Sequence, residues 1–161
     1  MNLKVTMKLG SLLSLAAVIA CGPSTNGNNT TPDAGTTLEP TLSSIQTNIF
    51  SVYCISCHTT ASASAFGDLD LSEGNAYASL LGASGKGAPI PDTKDPGEVK
   101  ASGEGYLMVT PSNPAKSFLY LKISPNLDSS YGLPMPEVNG PLSAAQLQAV
   151  SDWITAGAPN N

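Results

Sequence analysis

Tyr53-Cys54-Ile55-Ser56-Cys57-His58-Thr59 holds two of the chain's three cysteines and its one histidine. Residue types this scarce, gathered into five consecutive positions, call for a chemistry that uses all three side chains. Dithiol exchange uses a C-x-x-C pair, but such sites sit on a βαβ framework, and no such alternation of strands and helices is written here. A structural zinc site needs four ligands, and no second histidine or cysteine pair exists to complete the tetrahedron. Covalent attachment of haem uses everything present. Two sulfurs three residues apart add to the porphyrin vinyl groups, and the adjacent imidazole ligates the iron from one face. The motif therefore predicts one haem c, with Cys54 and Cys57 as attachment sites and His58 as proximal ligand.

The rest of the chain is organised around that motif. Its 161 residues, 41% hydrophobic and 12% charged, suffice for one small domain plus appendages. Fifteen glycines and thirteen prolines predict long loops, and a small loop-rich domain usually needs a staple such as a cofactor. All seven basic residues are lysines, against twelve acidic residues. Losing Lys4 and Lys8 with a leader leaves five against twelve, a net charge near −7. That balance argues against nucleic acid and anionic membrane surfaces as partners, and allows a protein partner with a basic docking surface.

Residues 1–20 have the layout of an export signal: lysines at 4 and 8, then an apolar run from Leu9 to Ala20 that is too short to span a bilayer. The run ends in Val18-Ile19-Ala20-Cys21, which resembles the lipobox of bacterial lipoproteins. The resemblance implies cleavage before Cys21 and lipidation of its sulfur, with the membrane engaged through that anchor alone. Gly22 follows where inner-membrane lipoproteins of many Gram-negative bacteria carry aspartate, so the expected location is periplasm-facing, on the outer membrane. Residues 21–40, rich in Asn, Thr, Gly and Pro, read as a disordered tether, which leaves 41–161 as the domain.

Within 41–161 the pattern is helical. Leu42, Ile45, Ile49, Phe50 and Val52 recur at mostly helical intervals, with Thr41 or Ser43 as cap, so a helix runs into the motif. Leu142-Ser143-Ala144-Ala145-Gln146-Leu147 is a capping box with a Leu142/Leu147 staple, followed by the apolar stripe Leu147, Val150, Trp153, Ile154 and by Gly157 at a C-cap position. These two helices are expected to bracket the cofactor. Ser72 can cap a short helix ending at Gly82, and Asn113-Pro114 can open another that reaches about Lys122. Residues 83–105 read as a long polar insertion, a solvated loop or one that covers a haem edge or touches a partner. The longest strand-like stretch is Leu107 to Thr110.

Here the chain resembles class I c-type cytochromes, in particular single-haem domains of bacterial lipoproteins, over about Thr41 to Pro159. The resemblance implies a small all-α cytochrome c-like fold, with N- and C-terminal helices packed around one covalently bound haem and joined by long loops. It implies aromatic packing between Phe50 and Trp153. It also places Gln46 where the family usually has a glycine that lets the two helices approach, so their crossing here is expected to differ.

A single histidine excludes a second imidazole on the iron, and Met1 and Met7 leave with the leader. The sixth ligand then falls to Met135 or Met108. Met108 lies in the apolar stretch Tyr106 to Thr110 and reads as core. Met135 lies in Gly132-Leu133-Pro134-Met135-Pro136, where prolines stiffen the loop and reduce the cost of placing a weak thioether ligand, and the family's methionine likewise precedes the last helix. The expected function is non-enzymatic electron transfer between redox partner proteins. The alternative is a haem enzyme or gas sensor, peroxidase-like, with an open or labile sixth site. Tyr77, Tyr106, Tyr120 and Tyr131 are candidate propionate partners or simple packing.

Overall fold

The computed structural model describes residues 38–65, 67–91 and 95–161. The leader, Cys21 and most of the tether lie outside them, as do three positions of the 83–105 segment. Among the described residues the fold is mostly helical, with no strand beyond isolated bridges, so the all-α expectation holds at that level. No helix of these residues is long and apolar enough to cross a membrane.

The first helix, α1 (Leu42–Ile45), begins at Thr41, whose hydroxyl accepts the Ser44 N–H at 3.2 Å. It then continues as a π-helix over Gln46–Cys54. Side chains account for the change of winding. Thr47 Oγ1 donates to the Ser43 carbonyl at 3.0 Å and Asn48 Nδ2 to that of Ser44 at 2.8 Å, the i−4 oxygens an α-helical N–H would take. The wider turn carries Ile45, Ile49 and Phe50 into the core, each at most 1% exposed. Val52, expected on that face, is instead 53% exposed, because π winding rotates it outward.

The last helix, α5 (Ala144–Thr155), has the expected ends. Ser143 accepts the Gln146 N–H at 3.3 Å, and Gln146 Oε1 accepts the Ser143 N–H at 2.8 Å. At the other end Ala158 N–H reaches the Trp153 carbonyl and Gly157 N–H that of Ile154, with Gly157 at φ 98°, which is a Schellman motif. Val150, Trp153 and Ile154 are fully buried, and Trp153 Nε1 donates to the Pro159 carbonyl at 2.9 Å. α5 packs on α1, and Gln146 Nε2 reaches the Asn48 carbonyl at 3.5 Å. Asn161 closes the pair: its carbonyl and side-chain oxygens accept the N–H groups of Ser43 at 2.9 Å and Leu42 at 3.0 Å. Phe50 and Trp153 are both buried in the one core cluster.

Between them lie short elements. α2 (Ala76–Leu81) ends at Gly82 as expected but starts at Asn75, after a turn that Ser72 opens. The helix expected from Asn113 to Lys122 is broken. Ser117, fully buried and extended, separates a 3-10 turn at Pro114–Lys116 from α4 (Phe118–Ile123), and its hydroxyl holds the 110–117 loop by accepting Thr110 N–H at 2.9 Å and donating to the Asn113 carbonyl at 2.9 Å. Leu107 bridges both Pro89 and Ser117, which threads the 106–110 stretch through the middle of the core. The expected solvated insertion contains α3 (Pro96–Gly103), so that reading is corrected. Its start is a standard signal: Asp95 caps, accepting Gly97 N–H at 2.7 Å, and Pro96 occupies the first helical position.

Candidate haem-attachment site

The π-helix ends on Cys54, and the chain takes one more turn. The Cys54 carbonyl accepts the N–H of Cys57 at 3.1 Å and that of His58 at 2.9 Å. Residues 57 and 58 therefore follow one turn on from Cys54 along the backbone, although among the described residues no three such side chains converge as a metal-ligating group. Two contacts then fix the exit. The Ser62 hydroxyl donates to the Cys57 carbonyl, and the His58 carbonyl accepts Leu71 N–H at 2.9 Å. Gln46 completes the brace: its Nε2 donates to the Leu71 carbonyl at 3.0 Å and ties the π-helix to the loop behind His58.

A carboxylate organises the other side of that loop. Asp70 accepts from the Ser72 N–H at 2.9 Å, the Ser72 hydroxyl at 2.5 Å, the Thr60 hydroxyl at 2.6 Å and Asn75 Nδ2 at 2.9 Å. Burial pushes the Asp70 carboxyl up, but these hydrogen bonds outweigh it and hold the group below its ordinary value.

The two cysteines are not equivalent. Cys54 is a free thiol packed against the core, and burial pushes it up to about 12. Such a thiol is protonated at neutral pH, which removes the nucleophile a dithiol-exchange site requires. Cys57 is disulfide-bonded. The donor set at 54, 57 and 58 fits a thioether-linked haem in identity and register. The disulfide at Cys57 must be open for such attachment.

The two candidate methionines differ sharply. Met108 is 5% exposed in the core, with its N–H on the Ala88 carbonyl at 2.8 Å and its carbonyl accepting Leu119 N–H at 2.9 Å. Met135 is half-buried at the rim of that core, its N–H donated to the Lys122 carbonyl at 2.8 Å. Lys122 also reaches forward: its Nζ donates to the Tyr131 carbonyl at 3.2 Å, so one residue of α4 grips both ends of the loop that presents Met135. The tyrosines expected to serve propionates or packing include Tyr131, whose hydroxyl donates to Glu104, and Tyr106, which lies beneath Lys116 Nζ at 4.5 Å.

α3, missed in the sequence, is the neighbour of both loops. Gly97 lies directly on the Tyr131 backbone, and Glu98 Oε1 sits 2.7 Å from where a Cβ on Gly67 would be. Burial, and then Asp95, push the Glu98 carboxyl above its ordinary value, with Asp68 adding to this and Lys122 opposing it. Burial likewise lowers Lys122, against the pull of Asp95, Glu98 and Glu137. A concavity of about 510 Å³ lies elsewhere, between Leu42, Thr47, Tyr77 and Asn161, and includes none of the candidate haem residues.

Comparisons with protein-family profiles, with curated proteins and with solved structures yield no match.

Proposed function

We propose that this chain is an electron-transfer protein carrying one covalently attached haem c, linked at Cys54 and Cys57, ligated by His58 and Met135, and tethered to the outer membrane through a lipid on Cys21. The observation that supports the reading is the backbone turn on the Cys54 carbonyl, which sets residues 57 and 58 one turn beyond Cys54 at the end of the helix that packs on α5. Haem would supply the one-electron couple, with His58 and Met135 holding it through a neutral imidazole and a neutral thioether, a ligand pair that would favour the reduced form over two imidazoles. The chain supplies the rest. The Leu71 N–H and the Ser62 hydroxyl hold the backbone on either side of His58, and Lys122 holds the Met135 loop. If His58 and Met135 both held the iron, no coordination position would be left for a substrate, which favours a carrier over an enzyme. Its partners are redox proteins, and its acidic balance suits a basic docking surface.

The Cys57 disulfide favours a second reading, a haem-free exported protein in which that bond is a structural staple and Cys54 stays a half-buried free thiol. Intact-mass measurement on protein exported from cells competent in cytochrome maturation separates the two. Added porphyrin mass with a thioether-haem absorption spectrum supports the carrier. A mass lower only by the hydrogens of one disulfide supports the staple.

A further inference from the structure

Glu98 lies between the two loops that carry the proposed axial ligands. On one side its Oε1 rests against Gly67, in the turn that follows the haem motif, at a spot where any side chain on residue 67 would collide with it. On the other, its neighbour Gly97 abuts the backbone of Tyr131, at the head of the Met135 loop. Its Oε2 is shielded from solvent and makes no hydrogen bond. An ionised carboxylate in that position lacks the donors that would compensate its lost hydration, whereas a neutral acid tolerates it.

We propose that Glu98 is a proton-operated clasp that holds the 67–68 turn, α3 and the Met135 loop together when neutral and loosens them when ionised. The coupling runs through Lys122. The Lys122 ammonium donates to the Tyr131 carbonyl, while its backbone carbonyl holds Met135 N–H. An ionised Glu98 competes for that ammonium and is itself repelled by Asp95 at the start of α3 and by Asp68 in the facing turn. Glu137 acts on Lys122 from beyond the loop. The remaining charged groups of the α3 and 129–131 face are occupied with one another: Lys100 pairs with Glu104 at 3.1 Å and lies over the Tyr131 ring at 3.8 Å, Tyr131 donates to Glu104, and Asp128 accepts Ser130 N–H. The clasp stands on the protein alone. Its consequence, that pH tunes methionine ligation, rests on the haem reading above.

Carboxyl-carbon NMR of the full chain, titrated across pH 3 to 8, tests it. The Glu98 carboxyl should titrate above the ordinary 4.5, and the amides of Gly67, Tyr131 and Met135 should shift with the same midpoint. In Glu98→Gln, which stays uncharged, those amides should keep their low-pH positions throughout. A Glu98 midpoint at its ordinary value, a Met135 amide that does not move with Glu98, or an unchanged amide titration in Glu98→Gln overturns the proposal. If the variant does not fold, coincidence of the wild-type midpoints decides alone. An absorption spectrum of the same sample judges the haem reading separately, so a colourless protein with coincident midpoints sinks that reading and leaves the clasp.

Discussion

Gly97 of α3 lies so close to the carbonyl of Tyr131 that a Cβ on it would overlap both the carbon and the oxygen. Only glycine lets the helix seat on the 129–131 turn there. Gly97→Ala is expected to destabilise the protein by about 1–3 kcal/mol, because backbone cannot rotate away as a side chain could. Gly103, in the same helix with nothing near its Cβ position, is the control: Gly103→Ala should be neutral or stabilising by up to about 1 kcal/mol. Urea unfolding of both variants checks the contrast, and equal effects would contradict the packing described.

The α5 capping box makes a sharper local claim. Ser143→Ala leaves the Gln146 N–H without its acceptor at the helix start and should cost about 1 kcal/mol. Ser143→Thr retains an oxygen in the same place and should cost much less. Thermal unfolding of the pair reads the difference, and because α5 packs on α1, the loss should appear as a shift of the single cooperative transition.

These two regions also mark how far the sequence can be read. The ends of α5 were legible because capping is local: Ser143, Gln146 and Gly157 declare themselves within a turn. The turn at 54–58 is equally short-range, set by two N–H groups on the Cys54 carbonyl. The π winding of Gln46–Cys54 was not, since it follows from Thr47 and Asn48 engaging the carbonyls behind them, and apolar spacing alone cannot separate it from α winding. α3 was missed although Asp95-Pro96 announces a helix start, because its composition is that of a loop and its only deeply buried side chain is Ala101. Its stability comes from seating on Tyr131, a contact more than thirty residues away that no local pattern records. Glu98 was invisible for that reason too.

Asp70 ties acid stability to the loop behind His58. Its carboxyl lies below its ordinary value of 3.8, so the ionised form is the one the fold favours. The stabilisation is therefore complete above the unfolded-state value and fades as pH falls through the lower folded-state value. Asp70→Asn should be less stable than wild type at pH 7, with the difference shrinking towards zero as pH drops below about 3. Chemical unfolding at a series of pH values tests it. A constant difference between wild type and variant across that range would show that packing, and not the charge on Asp70, holds Thr60, Ser72 and Asn75 together.

The two methionines separate structure from ligation, because each predicted effect is absent from the other. Met108 sits in the core at 5% exposure with both backbone groups paired, so Met108→Ala should cost about 2–5 kcal/mol from the cavity it leaves and, on the carrier reading, leave the haem spectrum unchanged. Met135 is half-buried in a loop held by Lys122, so Met135→Ala should cost far less stability. On the carrier reading it should nevertheless alter the absorption of the oxidised protein, lower the potential and admit carbon monoxide to the reduced form, because the sixth position loses its sulfur. Carbon monoxide binding rapidly to the unaltered protein at neutral pH would instead mean that Met135 never closes the site, and would favour a haem enzyme or gas sensor. If Met108→Ala produced the spectral change and Met135→Ala did not, the assignment would pass to Met108, and that methionine would have to leave the core on which Ala88 and Leu119 now depend.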